Sequence, residues 1–98
     1  MNEPVITYSR EMGLTHSDFW RLLPRAMGDH EYKRIGDEVH AQVNDGTLRI
    51  ELGPTQERVI ALLRIPYSKV TFTFTGVKAA HQVAFKTHFD LHFQRGGG

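Results

Sequence analysis

A single side-chain period governs the middle of this chain. From Val39 to Thr75 apolar and polar residues alternate, in runs punctuated by Asn44-Asp45-Gly46, Gly53-Pro54 and Pro66. Residues 15–28 and 78–93 repeat instead at helical spacing. Period two in long succession calls for a sheet with one buried face, and the flanking helical stripes are what can bury it. With a short strand over Val5-Ile6-Thr7-Tyr8, the order is strand, helix, four strands, helix. The expected fold is therefore α+β: an antiparallel sheet of four to five strands with both helices packed on one face.

The first helix has three start signals. Thr15 is placed as the N-cap, Asp18 stands three residues on to complete a capping box, and Leu14 with Phe19 forms a hydrophobic staple. Phe19, Leu22, Leu23, Ala26 and Met27 make its buried stripe, and Gly28 sits where a left-handed C-cap is wanted. Pro24 removes the bond normally donated to residue 20, which predicts a kink or a loosened last turn.

Val39, Ala41 and Val43 alternate with Glu38, His40 and Gln42. Across Asn44-Asp45-Gly46, Leu48, Ile50 and Leu52 alternate with Thr47, Arg49 and Glu51, which predicts a hairpin. Gly53-Pro54 reads as a strand break, and Arg58 to Ile65 as a third run with Arg58, Ile60, Leu62 and Arg64 on its outer face. In the fourth run Val70, Phe72 and Phe74 face inward and Thr71, Thr73 and Thr75 outward. The last segment fits both periods. The alanines at 79, 80 and 84 and the i, i+4 recurrence of Phe85, Phe89 and Phe93 favour a helix from about Lys78 to Phe93, packed across the inner sheet face and ended by Gly96 to Gly98.

The chain has 98 residues, 40% apolar and 23% charged, with no repeat or linker, and reads as one domain with a flexible tail over 95–98. Twelve basic and eleven acidic side chains leave a charge of +1, too small a field to draw in a polyanion, so nucleic acid is an unfavoured partner. With no cysteine there are no disulfides, thiolate metal sites or cysteine nucleophiles. No segment has the length or apolarity of a signal peptide or membrane span, and the expected location is cytoplasmic.

No motif names a reaction: the nucleophile elbow, the phosphate-cradling glycine loop and the metalloprotease helix are all missing from the sequence. The outer sheet face is the more informative surface, gathering His40, Gln42, Arg49, Glu51, Arg58, Ile60, Leu62, Arg64, Thr71 and Thr73. Ile60 and Leu62 between Arg58 and Arg64 have the make-up of the centre and rim of a protein contact. Phe72 and Phe74 point inward, so the outward aromatics of a base-stacking platform are missing, and the single Arg95-Gly96-Gly97-Gly98 is no repeated arginine-glycine element.

Three histidines offer a second reading. His88 and His92 are four apart on the predicted helix and His81 lies two turns before His88, a potential ligand set for zinc or iron. His30-Glu31 and Asp37-Glu38 with His40 place carboxylates near imidazoles, as acid/base chemistry requires. Trp20 reads as a helix–sheet packing residue. The segments 11–13 and 28–36, which flank the first helix, are placed to line a cavity between helices and sheet.

The element order resembles that of the TATA-binding-protein-like folds, in which helices cover one face of a curved antiparallel sheet and the other face recognises a partner. The resemblance is one of element order across nearly the whole chain and carries no function with it. The residues themselves lead to a small non-enzymatic binding or accessory module. Its expected contact is Arg49, Arg58, Ile60, Leu62 and Arg64, and its expected partner another protein or a second copy of itself. A metal or acid/base site on His81, His88 and His92, and weak nucleic-acid binding, are the alternatives.

Overall fold

A computed structural model of the chain describes residues 4–97, with side chains described through Phe93. Seven elements follow in the expected order: β1 (Val5–Met12), α1 (His16–Met27), β2 (Tyr32–Ile35), β3 (Glu38–Val43), β4 (Gly46–Ile60), β5 (Leu63–Thr75) and α2 (Ala79–Gly97). The strands form one antiparallel sheet in the order β1-β5-β4-β3-β2, so β1 closes back beside the last strand.

Local chemistry accounts for α1. The Thr15 hydroxyl accepts from the Asp18 backbone N–H at 3.2 Å, satisfying a donor at the helix start, and Phe19, Leu23, Ala26 and Met27 are buried. Pro24 is accommodated without ending the helix, which closes on a short-range bond from Gly28 N–H to the Arg25 carbonyl at 3.3 Å. Gly28 has the positive φ of 60° expected of it, but with ψ at −127° it lies outside the left-handed helical region.

The second helix resolves the ambiguity of the last segment. Its i, i+4 phenylalanines form the inner stripe. Phe85 meets Phe74 edge-on, Phe89 meets Phe72 edge-on at 5.2 Å, and Phe93 reaches Phe19 of α1 at 5.4 Å. Aromatic stacking along one helix face thus ties both helices to β5, while Val39, Val43, Leu48, Ile50 and Val70 fill the sheet side. The helical backbone continues to Gly97, past the expected end at Phe93. Of the tail expected over 95–98, Gly98 and the side chains lie outside the described residues.

The middle strands depart from expectation in an instructive way. Gly53-Pro54 does not end a strand: it forms a bulge between Leu52 and Thr55 inside β4. A Cβ on Gly53 would lie 2.9 Å from the Lys69 carbonyl oxygen, so the bulge brings two backbones too close for a side chain. The run from Arg58 to Ile65 is not one strand. It is the tip of the β4–β5 hairpin, with Ile60 paired to Leu63 and Ala61-Leu62 turning between them. Four alternating runs were expected and four strands follow α1, but the fourth strand is β2, whose signal is the Gly36-Asp37 turn that pairs Ile35 with Glu38.

The result is a body and an arm. β1 pairs with β5 only as far as Met12 opposite Ser68, and β3 with β4 only as far as Glu38 opposite Glu51. Beyond those points β4 and β5 pair with each other alone. Five paired residues on each strand, Gln56–Ile60 against Leu63–Tyr67, give a projection of about 17 Å at ~3.3 Å per residue. The molecule is accordingly elongated, 52 × 24 × 24 Å.

Candidate functional site

Pairing register sorts the open side of the sheet into transverse rows. Lys33, His40, Arg49, Thr73 and Thr7 stand opposite one another across all five strands. Glu38, Glu51, Thr71 and Ser9 form the next row. His40 Nε2 lies 2.9 Å from Glu38 Oε1 and Arg49 Nε 3.2 Å from Glu51 Oε1, so the bases of one row are tied to the acids of the next. Ser9 and Thr71 hydroxyls meet at 3.1 Å. A concavity of about 610 Å³ opens over this surface, lined by Lys33, His40, Gln42, Arg49 and Thr73 among others. It lies on the face opposite the helices, not between helices and sheet as expected.

The arm extends the same open side. In β5 the odd-numbered residues 71, 73 and 75 face away from the helices, which places Leu63, Ile65 and Tyr67 on that side as well. Across the hairpin Ile60 is opposite Leu63, Arg58 opposite Ile65 and Gln56 opposite Tyr67. This face is apolar toward its end, and Leu62 at the tip is 99% exposed. Val59, Ile60, Leu63 and Ile65 are exposed with it. Arg58 is held flat: its guanidinium carbon lies 4.6 Å from the Tyr67 ring centroid and Nη2 3.1 Å from Glu11 Oε1. Tyr67 in turn donates its hydroxyl to Gln56 at 2.7 Å.

The five residues expected to form one contact are therefore divided. Arg58 and Ile60 share a face of the arm, and Leu62 caps it. Arg64 falls on the other face, opposite Val59 and paired with Glu57 at 3.0 Å, because the two-residue turn resets the alternation that was read straight through it. Arg49 lies in the concavity on the body. Sequence reasoning missed Leu63 and Ile65 as outer-face residues for the same reason, and Tyr67, between the runs, carried no alternation to place it.

The three histidines do not converge. His81 donates Nδ1–H to the Asp45 carboxylate in the β3–β4 turn at 3.1 Å, a bond that holds the Asp45 carboxyl below its ordinary range. His88 and His92 do adjoin, with ring centroids 4.5 Å apart. His88 Nε2 is already engaged, 3.2 Å from the Arg25 carbonyl. A carbonyl only accepts, so Nε2 carries the proton and the ring caps the end of α1. Among the described residues no group of three or more His, Asp or Glu side chains is placed to hold a metal ion.

The remaining candidates have packing roles. Trp20 meets Phe19 edge-on and lies under Arg34, whose guanidinium carbon is 3.8 Å from its ring centroid, fastening β2 to α1. His30 stands against Phe85. His16 donates Nε2–H to the Gly53 carbonyl at 2.6 Å, joining the start of α1 to the bulge at the root of the arm.

No family model, curated protein or solved structure matches this chain. Among the described residues, no helix is long and apolar enough to cross a membrane.

Proposed function

We propose that this chain is a small non-enzymatic binding or accessory module that contacts a protein partner through the open side of its sheet, with the hairpin arm as the principal docking element. One observation carries the reading: Val59, Ile60, Leu62, Leu63 and Ile65 are exposed together on a projection that contributes nothing to the core. Burying an aliphatic side chain is worth about 1.5–3 kcal/mol, and five held out on one hairpin are a surface suited to association. The cysteine-free composition fits a reducing, cytoplasmic setting.

The test compares three forms of the chain as affinity baits: wild type, Ile60→Asp with Leu63→Asp, and a chain in which residues 56–67 are replaced by Asn-Gly. Both altered forms retain every core side chain and are expected to keep the circular dichroism of the body. A protein retained by wild type and lost by both altered forms supports the reading. Equal retention by all three removes the arm from the contact.

A further inference from the structure

We infer that the occupant of the arm is a second copy of this chain, the two arms laying their Ile60–Leu63–Ile65 faces together about a two-fold axis. The inference rests on the docking role given to the arm above and names the partner.

The charge on that face is the first argument. Its one cationic side chain, Arg58, is neutralised within the chain by Glu11 and stacked on Tyr67. An acidic peptide or a phosphate backbone approaching this face finds no free cation on the arm to pair with, Lys69 lying beyond Tyr67 on the body. An apolar surface does find a match, and a two-fold contact requires a face that matches itself. With Arg58 already paired, the same face in a second copy brings apolar against apolar without an uncompensated like charge at the centre.

Placement is the second argument. Of the eleven large apolar side chains exposed among the described residues, five lie between Val59 and Ile65, and all of these but Val59 fall on this face or at its tip. The others are scattered: Val5 and Ile6 on β1, Tyr32 and Ile35 on β2, Val83 and Leu91 on α2. The apolar surface of matching size that the chain itself supplies is therefore the arm of another copy.

Size then sets the strength. A standard stable interface uses about 20–30 residues a side, and the arm from Thr55 to Tyr67 offers roughly half of that. The expected dimer is weak and in rapid exchange, with dissociation in the micromolar range or above.

Sedimentation equilibrium of the whole chain from about 10 μM to about 1 mM spans that range. A monomer–dimer equilibrium abolished by Ile60→Asp with Leu63→Asp, and likewise by replacing residues 56–67 with Asn-Gly, is the expected result. Because the chain has no cysteine, Leu62→Cys accepts a single nitroxide label at the arm tip. Mixed with isotope-labelled wild type, the labelled chain should broaden amides of residues 55–67 and spare α2 and β2. Broadening centred on β2, α2 or the concavity would overturn arm-to-arm packing. A monomer at every concentration would overturn self-association altogether, while the bait comparison above would still decide whether the arm binds a different protein.

Discussion

Ile60 pairs with Leu63 across a turn of two residues, and the first of these, Ala61, holds φ at 55°. Two-residue hairpin loops take glycine or asparagine readily at such a position, and a Cβ there costs about 1–2 kcal/mol. The tip of the arm is therefore strained where it is most exposed. Backbone strain persists where the surroundings over-determine it and is concentrated in segments that make contacts, which accords with the role given to the arm.

Ala61→Gly relieves that strain, partly offset by the larger unfolded-state freedom of glycine. The net gain is about 0.5–1 kcal/mol, confined to the arm. Amide exchange of residues 56–67 should slow by roughly 2- to 5-fold, with exchange in the body unchanged. Faster exchange in the arm would mean that Ala61 is not the strained residue.

Gly46 presents the opposite case. It opens β4 opposite Val43, and a Cβ built there falls in hard overlap with the Thr75 carbonyl oxygen and the Gly76 backbone. Neither obstacle is a flexible side chain. Gly46→Ala should destabilise the body by about 1–3 kcal/mol, the range for forced overpacking, seen as a lower denaturation midpoint with unchanged slope. Gly36→Ala makes a useful comparison, because nothing lies within 4 Å of its Cβ and only its positive φ is strained.

The body was legible in the sequence because each segment carried its own start, stop and period. Thr15 with Asp18 marks α1, Asn44-Asp45-Gly46 marks the β3–β4 hairpin, and the phenylalanines at 85, 89 and 93 mark the buried face of α2. The arm was not legible, and the reason is specific. Ala61-Leu62 has no turn residue, so alternation passes through it unbroken, whereas Gly53-Pro54 looks like a terminus and forms a bulge. The unmarked turn exchanges the faces of Leu63, Arg64 and Ile65, whereas the fourth run, which restarts after Pro66, keeps its true faces; straight alternation therefore groups Arg64 with Ile60 and turns Leu63 and Ile65 inward. Helical spacing identified the His88–His92 adjacency correctly. It carried no information about the Asp45 and Arg25 groups that engage His81 and His88.

Those engagements make a prediction about zinc. The His88 and His92 rings adjoin, whereas the His81 ring, at the start of the helix, is bonded to Asp45 of the β3–β4 turn. Added zinc should shift the imidazole resonances of His88 and His92 together, weakly, and leave His81 in place at the same concentration. All three moving along one saturation curve would indicate a shared site that the observed pairings oppose.

Tyr8 links β1 to α2, and its burial predicts a loss of stability at alkaline pH. Its ring stacks on Phe72 at 4.9 Å and lies beneath Lys86, whose Nζ is 4.2 Å from the ring centroid. Burial raises the phenol pKa well above its ordinary value, with Arg10 opposing the shift and Asp90 adding to it. The neutral phenol is thus favoured in the folded chain. In the unfolded chain it ionises near pH 10, so its contribution is fully present below about pH 10 and is lost as pH rises from there toward the folded value. Denaturation midpoints should fall above about pH 10, and Tyr8→Phe, which keeps the stacked ring and removes the ionisation, should flatten that limb while leaving stability near neutrality little changed. An equally steep alkaline limb in Tyr8→Phe would assign it to Tyr32, Tyr67 or the lysines instead.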